Sequence, residues 1–196
     1  SILSSQPFIV PDAGQNPRLR FYQWYSFSLS DYGVIQVKVN GGDWQDVTEH
    51  YIWSGSESWS TPLIDLSDFA GSSIQVAFLF HSVNDPFNGT NEDVSSGWYI
   101  DDIQLLTGTL VFNNPEGFEN GIGDWSSEGA WELGTPASGP NESHSGDNCF
   151  ATNLEGNYSD PLYTSVLAIE NRLISPPIQV PDAGQNPRLR FYQWYS

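Results

Sequence analysis

The chain has 196 residues and is strongly acidic, with 24 Asp and Glu against 6 Lys and Arg and a net charge of −18. That balance repels nucleic acid and anionic lipid and excludes both as partners. Its 8 Trp, 9 Tyr and 11 Phe exclude a disordered polymer, since rings in that number supply the buried surface that folding needs.

In chain order, residues 3–10 (LSSQPFIV) read as a short strand, at a sheet edge or a strand start because of Pro7. PDAGQNP at 11–17 is a turn cluster. Residues 18–27 make an aromatic strand with Leu19, Phe21, Gln23 and Tyr25 on one face and Arg18, Arg20, Tyr22 and Trp24 on the other. Large side chains on both faces place it centrally, covered on both sides. Residues 34–39 alternate with Ile35, Val37 and Val39 inward, and Asn40-Gly41-Gly42-Asp43 signals a hairpin into a strand over 44–52. Residues 54–62 form a loop.

Ile74, Val76, Phe78 and Phe80 alternate through the next strand, and a long Asn/Asp/Gly loop follows over 81–96. The strand at 98–106 changes phase: Trp98 and Ile100 share one parity, Ile103 and Leu105 the other. A slip at Asp101-Asp102 implies a β-bulge there that re-aims one carboxylate. Residues 107–114 are short and carry Leu110, Val111 and Phe112, so they pack down rather than act as a flexible spacer. From 115 to 170 short apolar pieces (Phe118, Trp125, AWELG, CFATNL) alternate with Gly, Pro and Ser turns, and 166–170 reads as a strand or one helical turn. No helical period is sustained. Short strands with regular turns define an all-β, antiparallel β-sandwich.

The aromatic strand belongs to a repeat. Residues 10–26, VPDAGQNPRLRFYQWYS, return unchanged at 180–196, an offset of 170, and Leu3, Ser5 and Pro7 recur as Leu173, Ser175 and Pro177. Such self-similarity marks a tandem repeat. One period, residues 27–196, holds 23 acids and 4 bases, a net −19 that an array multiplies. That surface suits solubility in a salty medium and equally attracts divalent cations. The lone Cys149 lies in an apolar strand context and packs as a small hydrophobe, so each period lacks an internal disulfide. No apolar run reaches membrane length and no signal peptide is seen, so no membrane insertion is expected.

Read from Phe118, the order FENG, Trp125, AWELGTP, GP, HSG, ATNLEGNYS and SPPI, continued by RLRFYQWYS, VNGGDW and GWYIDDIQL, resembles the MAM-like jelly-roll modules attached to immune-inhibitor-A metallopeptidases and large surface proteins. The likeness spans nearly the whole period, with GWYIDDI and ATNL…GNY as its specific parts. It implies a jelly roll cut out of phase. Residues 1–109 would be the C-terminal portion of one module and 110–196 the N-terminal portion of the next; the alternative is one circularly permuted module over 1–170 plus an overlap. Both copies of the aromatic strand would then lie mid-module, their arginines paired with carboxylates. The hairpin at 39–44 is shorter than the family's.

The resemblance also implies a structural Ca²⁺ held by Glu119, Asp147 and Asp101 or Asp102, and the inferred bulge independently singles out the Asp pair. Calcium takes six to eight oxygens, which acidic loops supply; ordinary edge carboxylates are the plainer reading. Asn84, Asp85, Asn88, Asn91 and Asp93 depart from EF-hand spacing and read as a solvated loop. Trp53, Trp59, Trp125 and Trp131 lie near loops and are candidates to stack on sugar rings, although core packing explains most aromatics of a sandwich. Asn88, Asn141 and Asn157 head N-glycosylation triplets in loops. His50, His81 and His144 are scattered outside any HExxH, GxSxG or Cys–His signature, so no enzyme is expected. The expectation is a structural repeat of an extracellular or cell-surface protein, such as a stalk, adhesin or filament, whose partners are identical neighbouring repeats. The alternative is a carbohydrate-binding module acting through avidity.

Overall fold

The computed structural model describes residues 1–28, 30–52, 58–83, 95–158 and 171–195, and all its strand pairings are antiparallel. No α-helix occurs among the described residues; short 3-10 turns accompany the strands. The chain divides into two units, Ser1–Thr109 and Leu110–Ser196.

In the first unit, β1 (Ile2–Ser4), β2 (Phe8–Ile9), β4 (Tyr32–Val39), β5 (Trp44–Asp46), β6 (Tyr51–Ile52) and β8 (Ser73–His81) form one sheet. A second sheet runs β7 (Leu63–Asp65), β3 (Arg18–Ser26), β9 (Gly97–Leu106). Alternation sets their faces as a two-residue period requires. Leu19 and Phe21 of β3 pack with Ile35 and Val37 of β4 and Ile74, Val76 and Phe78 of β8; Val10 and Leu66 close the cluster. Phe21 meets Phe78 edge to face at 5.1 Å. Burying each such side chain contributes about 1.5–3 kcal/mol, so this cluster is what joins the two sheets into an open sandwich.

β3 is central in its sheet, with β7 along one edge and β9 along the other. Its arginines are buried too, and Arg18 Nη1 donates to the Gly108 carbonyl at 3.2 Å while its backbone lies opposite Asp65. The β4–β5 hairpin turns on Asn40 and Gly41, with φ 50° and 75°, and Gly42 N–H donates to Val39 at 2.9 Å. Two successive left-handed residues match the twist of paired strands, hence Asn-Gly. The phase slip in β9 is a bulge: the register breaks between Arg20 and Tyr22, and Asp102 takes φ 46°.

Three expectations need correction. Residues 44–52 are not one strand but β5 and β6, both paired to β4 and separated by 47–50. Residues 3–10 likewise are not one strand but fall in β1 and β2, both paired to β8. Finally, residues 188–195 carry the β3 sequence but form no strand.

The second unit is built from two small ribbons. β10 (Ser126–Ser127) pairs with β13 (Leu173–Ile174), and β11 (Glu132–Gly134) with β12 (Cys149–Ala151). The pieces AWELG and CFATNL supply the second ribbon, as their alternation suggests. Trp125 contacts Phe112 and Phe118 at 5.8 and 5.4 Å, and Phe118 contacts Phe150 at 4.9 Å. These rings form a small aromatic core.

Candidate functional site

The best-defined polar arrangement lies in the second unit, around Glu119. The loop HSGDN at 144–148 turns back at Gly146, whose φ is 67°. Ser143 Oγ fastens it by donating to the Gly146 carbonyl at 2.6 Å. The following amides of Asp147 and Asn148 then point together at Glu119, donating to Oε2 and Oε1 at 3.0 Å each. A Cβ on Gly146 would run into that carboxylate, so glycine is required there for space as well as for φ. The amide of Asp147 first, and that of Asn148 second, hold the Glu119 carboxyl below its ordinary pKa. A carboxylate kept ionised by peptide N–H groups makes a fixed charge and a loop clasp, and is unsuited to donate a proton.

Glu119 and Asp147 are thus brought together, through the backbone of the latter. Asp101 and Asp102 lie in the first unit, where the Asp102 N–H donates to Asp101 Oδ1 at 2.8 Å. Among the described residues no three His, Cys, Asp or Glu side chains converge. Against calcium's need for six to eight oxygens, the fit is partial. The amides occupy two acceptor positions of Glu119 out of roughly four.

The aromatic candidates separate. Trp125 sits in the aromatic core and Trp131 is half-buried, whereas Trp59 is 45% exposed. The adjacent Ser60 is tied down by paired backbone bonds of 2.9 Å to and from Gln23, so the Trp59 backbone is anchored next to β3. Trp53 and Asn88, with the oxygen-rich loop at 84–93, lie outside the described residues. Asn141 and Asn157 are exposed; the first occupies a turn with φ 59°. Cys149, on β12, is a half-buried free thiol whose pKa burial raises.

One cluster escaped sequence reasoning. The Tyr32 ring stacks between His50 at 4.2 Å and His81 at 4.8 Å, nearly parallel to both. His50 Nε2 lies 3.4 Å from Asp46 Oδ2, and Gln36 Nε2 donates to Asp46 Oδ1 at 2.7 Å. The signal was the register, which sets Tyr32 opposite His81, and no sequence spacing carries it.

The observed class is therefore an all-β chain of antiparallel, open-sandwich build. No family model matches it. The chain is similar to bacillopeptidase F of Bacillus subtilis (strain 168), 29% identical over 165 residues, which are 83% of this chain and 10% of that protein. The chain spans about a tenth of the curated relative it matches, so the peptidase activity in that name is not transferred to it. No helix among the described residues is long and apolar enough to cross a membrane.

Proposed function

We propose that this chain is a structural repeat unit of a long extracellular surface protein or filament, assembled from MAM-like jelly-roll modules. The observation that carries the reading is the exact return of residues 10–26 at 180–196. A seventeen-residue identity that includes a buried central strand is what a polymer of equal units contains. The similarity to a small share of a much longer protein supports a modular role separable from catalysis. The partners are neighbouring copies of the same unit, and neither nucleic acid nor the membrane interior takes part. Calcium stiffens the array and offsets its charge, with Glu119, Asp147 and Asp101 or Asp102 as candidate ligands. Electron microscopy of the native material tests the proposal. Rods or fibres with a regular axial repeat are expected; isolated compact particles overturn it.

A second reading, glycan binding strengthened by repetition, has one observation in its favour: an exposed Trp59 on an anchored segment. A glycan array with Trp59→Ala as control decides it. Absence of binding to any glycan removes this reading.

A further inference from the structure

The two copies of VPDAGQNPRLRFYQWYS differ in environment in a way that separates local from tertiary structure. The turn forms in both: Ala13–Gln15 and Ala183–Gln185 are 3-10 turns, closed by Asn16 and Asn186 at φ 49° and 50°. The strand forms in one. Leu19, Phe21 and Tyr25 are 4%, 0% and 6% exposed, whereas Leu189, Phe191 and Tyr195 are 73%, 67% and 82% exposed. Within its own unit two rings of the second copy meet other residues: Tyr192 stacks on His144, and the Trp194 ring lies against Gly139.

What β3 has and the second copy lacks is a pair of partner strands. β3 is held by β7, with Arg18, Leu19 and Arg20 opposite Asp65, Ile64 and Leu63, and by β9, from Arg18–Leu106 to Ser26–Gly97. The chain contains these partner sequences once, and they are engaged by the first copy. An identical strand requires an identical slot. We infer that residues 188–195 are a central strand whose slot is formed by the β7 and β9 segments of a further copy of this sequence following in the same polypeptide. The pairing would run Arg188 opposite the further copy's equivalent of Asp65, and Tyr195 opposite that of Trp98. Charge supports this occupant. Arg188 and Arg190 are two of the six bases in a chain with 24 acids, and the slot places the first against a carboxylate-bearing strand. By the same periodicity residues 180–196 enter the following 1–109-type unit as its equivalent of β3, and the chain passes into that unit through this strand.

The inference rests on the array reading, and its test is separable from it. Tyr195→Cys is placed in a Cys149→Ser background, both in the present chain and in a chain lengthened after Ser196 by a second copy of residues 27–109. Thiol labelling should be fast in the present chain and slower by roughly tenfold or more in the lengthened one, since a strand inside a sheet labels only after opening. Leu189→Cys, on the same face as Tyr195, gives a second reading if the first variant fails to fold. Equal rates at these positions in the two chains overturn the pairing. Fibres on the microscope grid with unprotected thiols would leave the array standing and remove the pairing; protected thiols without fibres would do the reverse.

Discussion

Trp98 packs against Gly33: a Cβ built on that glycine would stand 2.8 Å from two atoms of the indole and 3.1 Å from the Phe27 ring. The indole is fixed from its other end, where Nε1 donates to Gln23 Oε1 at 3.1 Å. It also packs edge to face on Phe78 at 5.6 Å. Gly33 is therefore the point where β4 comes close enough to β9's ring for the two sheets to share it. Gly33→Ala should destabilise the first unit by about 1–3 kcal/mol, the usual cost of overpacking. Gly14→Ala is the control, because nothing lies within 4 Å of a Cβ there. Differential scanning calorimetry should show a melt lowered by several degrees in the first variant and unmoved in the second.

The bulge in β9 makes a second prediction. Asp102 holds φ at 46°, a region open to Gly, Asn and Asp but costly for branched side chains. Asp102→Val should lose about 1–2 kcal/mol through backbone strain alone. Asp102→Asn keeps the conformation while removing the charge, and its melt in chelator should match the parent's. If the valine variant melted like the parent, the left-handed bulge residue would be wrong.

These two sites show where the sequence was informative. The bulge was legible because parity is a strict two-residue signal: Trp98 and Ile100 face inward before Asp101-Asp102, and Leu105 shares a face with Leu19 after it. β3 was legible for the same reason. β7, with three residues, has too few positions to display a period. The failure at 188–195 is more instructive. Its residues match β3 one for one, so strand propensity and pattern are equal, and only the partner strands differ. A strand's backbone donors are satisfied by other segments, whereas a turn closed by Asn satisfies its own. The Glu119 clasp was half visible. The residues were singled out as candidate ligands, but that Glu119 is held by the amides of Asp147 and Asn148, with Gly146 clearing the way, depends on loop geometry.

That clasp is pH-dependent with a definite sign. Its folded pKa is depressed below 4.5 because the amides of Asp147 and Asn148 prefer the ionised form. The stabilisation is therefore fully present above the unfolded value and is lost as pH falls through the folded one. Titrating the Glu119 carboxyl by NMR should give a midpoint below 4.5, with the Asp147 and Asn148 amide resonances moving at that same midpoint. In Glu119→Gln those amides should cease to follow pH in that range. A carboxyl midpoint at or above the ordinary value, or amides indifferent to it, would sink the clasp.

Calcium binding is tested by linkage. A cation that binds the folded chain alone raises its stability by about 2.7 kcal/mol when free ligand reaches a hundred times the Kd. The melting temperature of the chain should rise on adding Ca²⁺ and return in EGTA. Mg²⁺ should do less, since it demands a tighter octahedral set of oxygens than loops of this kind supply. Glu119→Gln should blunt the Ca²⁺ response, because an amide brings half the acceptor oxygens and none of the charge. Asp102→Asn gives the same comparison in the first unit, with its backbone conformation preserved. A melt that ignores Ca²⁺ and EGTA alike would remove the metal, and leave Glu119 with the loop-closing role that its two amide bonds already account for.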